Sequence, residues 1–304
     1  MGRNRSPDRQ GVRRRGGCGL RISYGCGPHG AAWSSFTSWV ISKGRAFKTK
    51  PSKKSLFAKP LERCLAEFGW EEKRALQGRQ IDGRYHGVAV ACFIEGGGAG
   101  PKETARLDLE ADGTVSVYVG STAVGQGLET VMAQIAADTL GLPLGQVRVM
   151  HGSTPLLDEG YGAFASRSTV LGGSAVFEAA NALLAKIRAA AGVRLRCAAE
   201  QVELADGCAR APDGLSLAFA EFATDGLRVT TAFGNDNRLT YTYGSAAAHV
   251  AVDPGTGDVE LLDCLVVEDG GRIVNPLTLH GQAIGQRRAA RTTPWWRSRR
   301  AMRR

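Results

Sequence analysis

The segments Val124-Gly-Gln-Gly127 and Gly162-Ala-Phe-Ala-Ser-Arg-Ser-Thr-Val-Leu-Gly-Gly173 each turn an irregular stretch into a helical pattern, and together they decide how the chain is read. In the first, Gln126 sets an amide donor and acceptor between Gly125 and Gly127, which permit a sharp turn and close approach to whatever the amide touches. Leu128, Met132, Ile135 and Thr139 follow near helical spacing, so the loop aims unpaired N–H groups and the positive helix end at a ligand. In the second, Ala165, Ser166, Arg167, Ser168 and Thr169 bring three hydroxyls and a guanidinium to the start of a long stripe marked by Val176, Ala180, Leu183 and Ile187. We read the two as one anion-binding site, because helix starts suit phosphate and two of them suit a ligand with phosphate at more than one point. Each alone is also what an ordinary N-cap and a glycine turn look like.

Outward from these loops the pattern is mixed. Residues 61–70 form an amphipathic helix, and residues 87–94 read as a buried strand leading to the Gly96-Gly-Gly98 loop. That loop is no P-loop, since no Gly-Lys-Ser/Thr follows. Residues 105–109 and 114–119 make a hairpin around Asp112-Gly113, residues 146–151 a further strand, and residues 246–252 and 259–268 a second hairpin around Asp253-Pro-Gly-Thr-Gly257. A short helix near 217–223, a strand at 227–232 and a helix starting near Gly281 complete the expectation. His151, alone after its strand, reads as a hydrogen-bonded structural residue sooner than a ligand or base. Asp269-Gly-Gly-Arg-Ile-Val-Asn-Pro276 reads as a turn whose Asp and Asn serve their own backbone sooner than as a site.

Charge divides the chain. The 304 residues carry a formal net charge of +10, but residues 1–60 hold +13, residues 286–304 hold +8 and residues 61–285 hold −11. The body is therefore a mildly acidic domain, and a nucleic-acid role would rest on the tails alone, since the body shows no recognition helix or stacking surface. The N-terminal stretch, expected to be disordered, admits a transit peptide, a nucleic-acid tail, or translation in a wrong frame; the last is favoured there and again after Gly285, where the helical pattern loses its apolar face. Seven cysteines without a CxxC pair fit a reducing cytoplasm and give no metal cage. No run of eighteen apolar residues occurs, so no membrane span is expected.

Seven motifs in order complete the reading: Gly83-Arg-Tyr-His-Gly-Val-Ala, Glu95-Gly-Gly-Gly-Ala-Gly-Pro101, Asp112-Gly113, Val124-Gly-Gln-Gly-Leu-Glu-Thr130, the Gly162 to Ala175 stretch, His249-Val-Ala-Val-Asp-Pro254 and Asp269-Gly-Gly-Arg-Ile-Val-Asn-Pro276. They resemble the molybdopterin-binding large subunit of the xanthine dehydrogenase, aldehyde oxidase and carbon monoxide dehydrogenase family, over residues 61–285. The resemblance implies an α+β, mixed-sheet domain and a molybdenum ion held by molybdopterin, in its dinucleotide form. It also implies Gln126 beside an oxo ligand of the metal, and residues 165–169 on the pterin and phosphates. Partner subunits would carry FAD and [2Fe-2S] centres, and the reaction would be water-dependent hydroxylation of a heteroaromatic, an aldehyde or carbon monoxide in the cytoplasm. The family's base is a glutamate in a Gly-x-Gly-Glu element, and these 304 residues contain none. The expectation is thus a partial molybdopterin-binding domain, inactive alone, with no catalytic residue and no direct metal ligand of its own. The alternatives are a basic nucleic-acid-binding protein or a non-catalytic assembly subunit.

Overall fold

Alternation, helical stripes and caps place each element, and the computed structural model describes residues 20–24, 58–236 and 238–292. Strand β1 (Leu20–Tyr24) is followed by α1 (Ala58–Phe68), whose Pro60, Cys64 and Phe68 recur every four residues and form its buried stripe. After α2 (Trp70–Lys73) come β2 (Gln80–Ile81) and the long β3 (Arg84–Gly97). Strands β4 (Glu103–Leu109) and β5 (Val115–Val119) join at the Asp112 turn, where the Asp112 carboxylate accepts the Thr114 N–H at 3.0 Å. Helix α3 (Leu128–Leu140) leads to β6 (Val147–Met150). A π turn over Ser168–Gly173 opens directly into α4 (Ser174–Leu195). Three short strands, β7 (Glu203–Ala205), β8 (Cys208–Arg210) and β9 (Ser216–Ala218), precede β10 (Arg228–Phe233), β11 (Thr240–Val252), β12 (Val259–Asp269) and α5 (Pro276–Thr292).

The described chain falls into two units, one comprising the residues up to Glu95 with Tyr241–Arg272, the other Gly96–Thr240 with the residues from Ile273. In the first, the sheet runs β1-β12-β11-β3-β2, and α1 lays Cys64 and Phe68 against Ala247, Leu265 and Val267. In the second, the sheet runs β10-β4-β5-β6, antiparallel except for the parallel β5–β6 pair that brackets α3. Its core gathers Leu107, Leu109, Val115 and Val117 from the sheet with Met132 from α3 and Leu183 and Ile187 from α4. The helical run Ser168–Leu195 is long and apolar enough to cross a membrane by composition, but its apolar residues Val176, Ala180, Leu183 and Ile187 are fully buried in this core. The mixed α and β architecture is the one expected.

Several boundaries differ from the sequence reading; the short helix expected near 217–223 starts only at Phe219, as a 3-10 turn to Asp225 that follows β9. Leu20–Tyr24 lies inside the stretch expected to lack structure, yet it pairs in parallel with β12, as its apolar-polar alternation allows. Helix α5 starts at Pro276 and not at Gly281, because Asn275 caps it and proline suits the first helical position. It also runs to Thr292, past the expected stop at Gln286, since Gln, Arg and Ala form helix well even without an apolar face. The remaining basic tails, and the transit-peptide, nucleic-acid and shifted-frame expectations attached to them, lie outside the described residues.

Candidate functional site

Glu103 opens β4 in phase with Ala105, Leu107 and Leu109, so the strand's alternation carries its carboxylate into the core of the second unit. It has 0% exposure, and so does Arg167, whose Nη1 donates to Glu103 Oε2 at 2.6 Å. A buried guanidinium must satisfy every donor inside the protein. With Glu103, the carbonyls of Ala99 at 3.0 Å, Gly162 at 2.9 Å and Lys102 give each of the three Arg167 nitrogens an acceptor. Glu103 also accepts the Tyr161 N–H at 3.1 Å and, more weakly, the Ser121 hydroxyl at 3.4 Å. Ser121 lies within 3.3 Å of the Gly162 carbonyl as well. The roots of three loops, at 97–102, 120–127 and 160–170, therefore meet on one ion pair.

The closeness of that meeting is set by glycine. A side chain on Gly120 would come within 2.5 Å of the Gly160 backbone and 2.3 Å of Glu103 Oε1. Gly98, at φ +76°, donates its N–H to the Ala165 carbonyl at 3.0 Å, and a Cβ there would meet Val170 at 2.8 Å.

The structure places the five residues predicted for the second loop in two environments, four of them exposed or half-exposed and Arg167 buried. Ala165 and Ser166 both take left-handed backbone conformations, at φ 50° and 51°, a costly arrangement for residues with a Cβ and one that concentrates at functional loops. Ser166 and Thr169 are exposed and Ser168 half-exposed, at the head of the 28-residue helical run. The N–H groups of Ser168, Thr169 and Val170 take no acceptor among the described residues. This is the donor set an anion needs. Arg167 is different: sequence reading offered its guanidinium to a phosphate, and the structure turns it inward, because the buried Glu103 carboxylate demands a partner. Phe164, 56% exposed, and Tyr161 stand over it at 5.1 and 5.5 Å from ring centre to guanidinium.

In the first loop Gly125 and Gly127 are left-handed, at φ 97° and 78°, and Gln126 curls over its own turn. Its Oε1 accepts the Val124 N–H at 2.6 Å and its Nε2 lies 3.3 Å from the Thr122 carbonyl. One amide hydrogen remains for a ligand. Among the described residues, no side chain or backbone outside the neighbouring positions comes within 4 Å of a Cβ built on Gly125 or on Gly162, so both loops border open space there. Just after the first, His151 Nε2 meets Glu129 Oε1 at 2.9 Å, and that hydrogen bond is the main cause holding the Glu129 carboxyl below its ordinary value. His151 Nδ1 is buried without a partner among the described residues. In the other unit, Asp269 accepts the Gly271 N–H at 3.0 Å and the Tyr243 hydroxyl at 2.9 Å, the self-serving turn expected.

Glu103 was missed in the sequence, although a signal was there. A carboxylate in phase with a core face requires a buried cation, and Arg167 is the cation set among small residues at a helix start.

Comparison with known proteins adds the following. The family model described as molybdopterin cofactor-binding domain matches residues 63–286. The chain is 34% identical over 244 residues to the 6-hydroxypseudooxynicotine dehydrogenase complex subunit gamma of Paenarthrobacter nicotinovorans, covering 75% of this chain and 30% of that protein. It is 31% identical over 252 residues to the putative xanthine dehydrogenase molybdenum-binding subunit XdhA of Escherichia coli K12, covering 76% and 34%. Among solved structures, quinoline 2-oxidoreductase from Pseudomonas putida 86 superposes with a TM-score of 0.65 at 28% identity, covering 74% of this chain and 32% of that one. Carbon monoxide dehydrogenase from Oligotropha carboxidovorans gives 0.66 at 25%, covering 75% and 32%. The chain thus spans about a third of the length of these relatives.

Proposed function

We propose, since this chain belongs to the molybdopterin cofactor-binding domain family, that its two helix-start loops grip the pterin and phosphate portions of a molybdenum–molybdopterin cofactor in dinucleotide form. The observation that carries this reading is the donor set at the head of the Ser168–Leu195 run, next to two left-handed residues: the hydroxyls of Ser166, Ser168 and Thr169, and three N–H groups that take no acceptor among the described residues. Such donors fit the anionic oxygens of a phosphate-bearing pterin. The free amide hydrogen of Gln126 serves the same ligand from the first loop, and Gly125 and Gly162 leave it room.

When bound, the cofactor supplies two-electron oxidation of a carbon centre with water as the oxygen source. The protein's part is to bind and orient it. These residues form one wall of the site, and turnover of a heteroaromatic, aldehyde or carbon monoxide substrate requires a glutamate base from outside them, because no Gly-x-Gly-Glu element lies within. Relatives named as a gamma subunit of a dehydrogenase complex and a molybdenum-binding subunit support a place in a multi-subunit complex, whose other subunits we take to carry the iron–sulfur and flavin centres that the family resemblance implies, in the cytoplasm.

The test is retention. The chain is purified from a host that makes the cofactor, and released pterin and molybdenum are quantified against protein. The combined Ser166→Ala, Ser168→Ala and Thr169→Ala variant should hold about tenfold less of both, the equivalent of losing one charge-assisted hydrogen bond. Equal content in the variant and the wild type would refute the reading.

A further inference from the structure

The geometry points to Glu103 and Arg167 as positioning residues whose ion pair holds the Ala165–Ser166 turn, and with it the hydroxyls of Ser166, Ser168 and Thr169, in ligand-binding form. This rests on the reading of that loop as a cofactor loop and goes beyond it, since both side chains are fully buried beneath the loop's surface.

Three observations converge. First, the pair has no exposure, and a carboxylate and a guanidinium withdrawn from water at 2.6 Å cost desolvation that their attraction barely repays. Such a pair contributes little net stability, so its value lies in the geometry it imposes. Second, the geometry it imposes is the loop's. Arg167 joins Ala99, Lys102 and Gly162 by their carbonyls, and Glu103 takes the Tyr161 N–H, so the pair sets both ends of the segment that contains the two left-handed residues. Third, that segment has few other ties. The Ala165 carbonyl accepts the Gly98 N–H at 3.0 Å, from a loop that Arg167 itself fastens through Ala99. Remove the pair and, among the described residues, the left-handed turn keeps only its own Arg167 N–H bond to the Phe164 carbonyl at 3.3 Å, the Gly98 bond to Ala165 and the Ser121 contact with Gly162 against relaxation to ordinary backbone angles.

Stability and positioning part company in a double variant. Glu103→Leu with Arg167→Met replaces the pair by apolar side chains and leaves no buried charge, an exchange that other proteins accept without loss of stability. Both the full-length wild type and this variant are expressed in a cofactor-producing host, and hydrogen exchange by mass spectrometry and pterin content are read on each. We expect thermal unfolding close to wild type and unchanged exchange over residues 176–190. Exchange over 97–102 and 162–170 should rise roughly tenfold, and pterin content should fall by about the same factor, as when an outer partner of a ligand-holding group is lost. Wild-type exchange in the two loops together with wild-type pterin content overturns the proposal. If the wild type itself retains no pterin, the cofactor reading fails, and loop exchange alone decides: faster exchange upholds the positioning role, unchanged exchange ends it. If the double variant does not fold, Arg167→Lys takes its place, keeping the charge while losing the planar fork that reaches four acceptors. The same two readouts then apply.

Discussion

A buried guanidinium shows its importance when its partner is removed. Glu103→Gln keeps the shape of the side chain but leaves Arg167 charged and unpaired, and should lower unfolding free energy by about 3–5 kcal/mol, measured by urea denaturation; a loss below about 1 kcal/mol would mean the pair is hydrated in solution. Gly120→Ala attacks the same junction sterically and should cost about 1–3 kcal/mol, since its methyl meets the Gly160 backbone and the Glu103 carboxylate, which its buried bonds hold in place. In the other unit, His249 Nε2 stands 2.9 Å from His86 Nδ1. Burial chiefly, then His86 and Lys73, hold its imidazole below the ordinary value of 6.5, with Asp263 opposing. The unfolded chain therefore binds a proton that the native one refuses, and stability falls as pH drops from 6.5 to the lowered native value, levelling below it. Urea midpoints taken between about pH 7.5 and 5.5 should show this decline, and His249→Gln should flatten it; a gain on acidification would contradict the burial argument. At this scale the sequence was half legible. Residue types named Ser166, Ser168 and Thr169 as donors, but the direction of Arg167 depends on Glu103, 64 positions away, and no local pattern carries that pairing.

Elements were easier to read, because their causes are local. The hairpin of β4 and β5 follows from alternation around Asp112-Gly113, and α3 ends where Gly141 takes φ 67°. Helix α4 follows from a stripe every three or four residues, although its π opening has no sequence signature. The start of α5 was misplaced because its signal lies just upstream: Asn275 Oδ1 accepts the Thr278 N–H at 3.0 Å, while its Nδ2 reaches Gln134 of α3 at 2.8 Å. Asn275→Ala removes both, and should cost about 1 kcal/mol with faster exchange over residues 276–285. Unchanged exchange there would show that packing at Gly127, whose Cβ would meet Thr278 at 2.6 Å, is what holds the helix.

For the whole molecule, order and spacing of motifs said more than composition. The overall charge of +10 describes the ends, while residues 63–286 carry the family match. What was not legible was the short β1, since five alternating residues in a basic, glycine-rich stretch acquire a partner only when β12 is in place. The central claim is that this chain holds a phosphate-bearing pterin at two helix starts. Hydrogen exchange of the chain carrying molybdopterin, compared with the same protein stripped of it, tests that most directly. Protection on binding is predicted over residues 122–130 and 164–172, with none over 80–94; protection elsewhere, or none in those two loops, would contradict it.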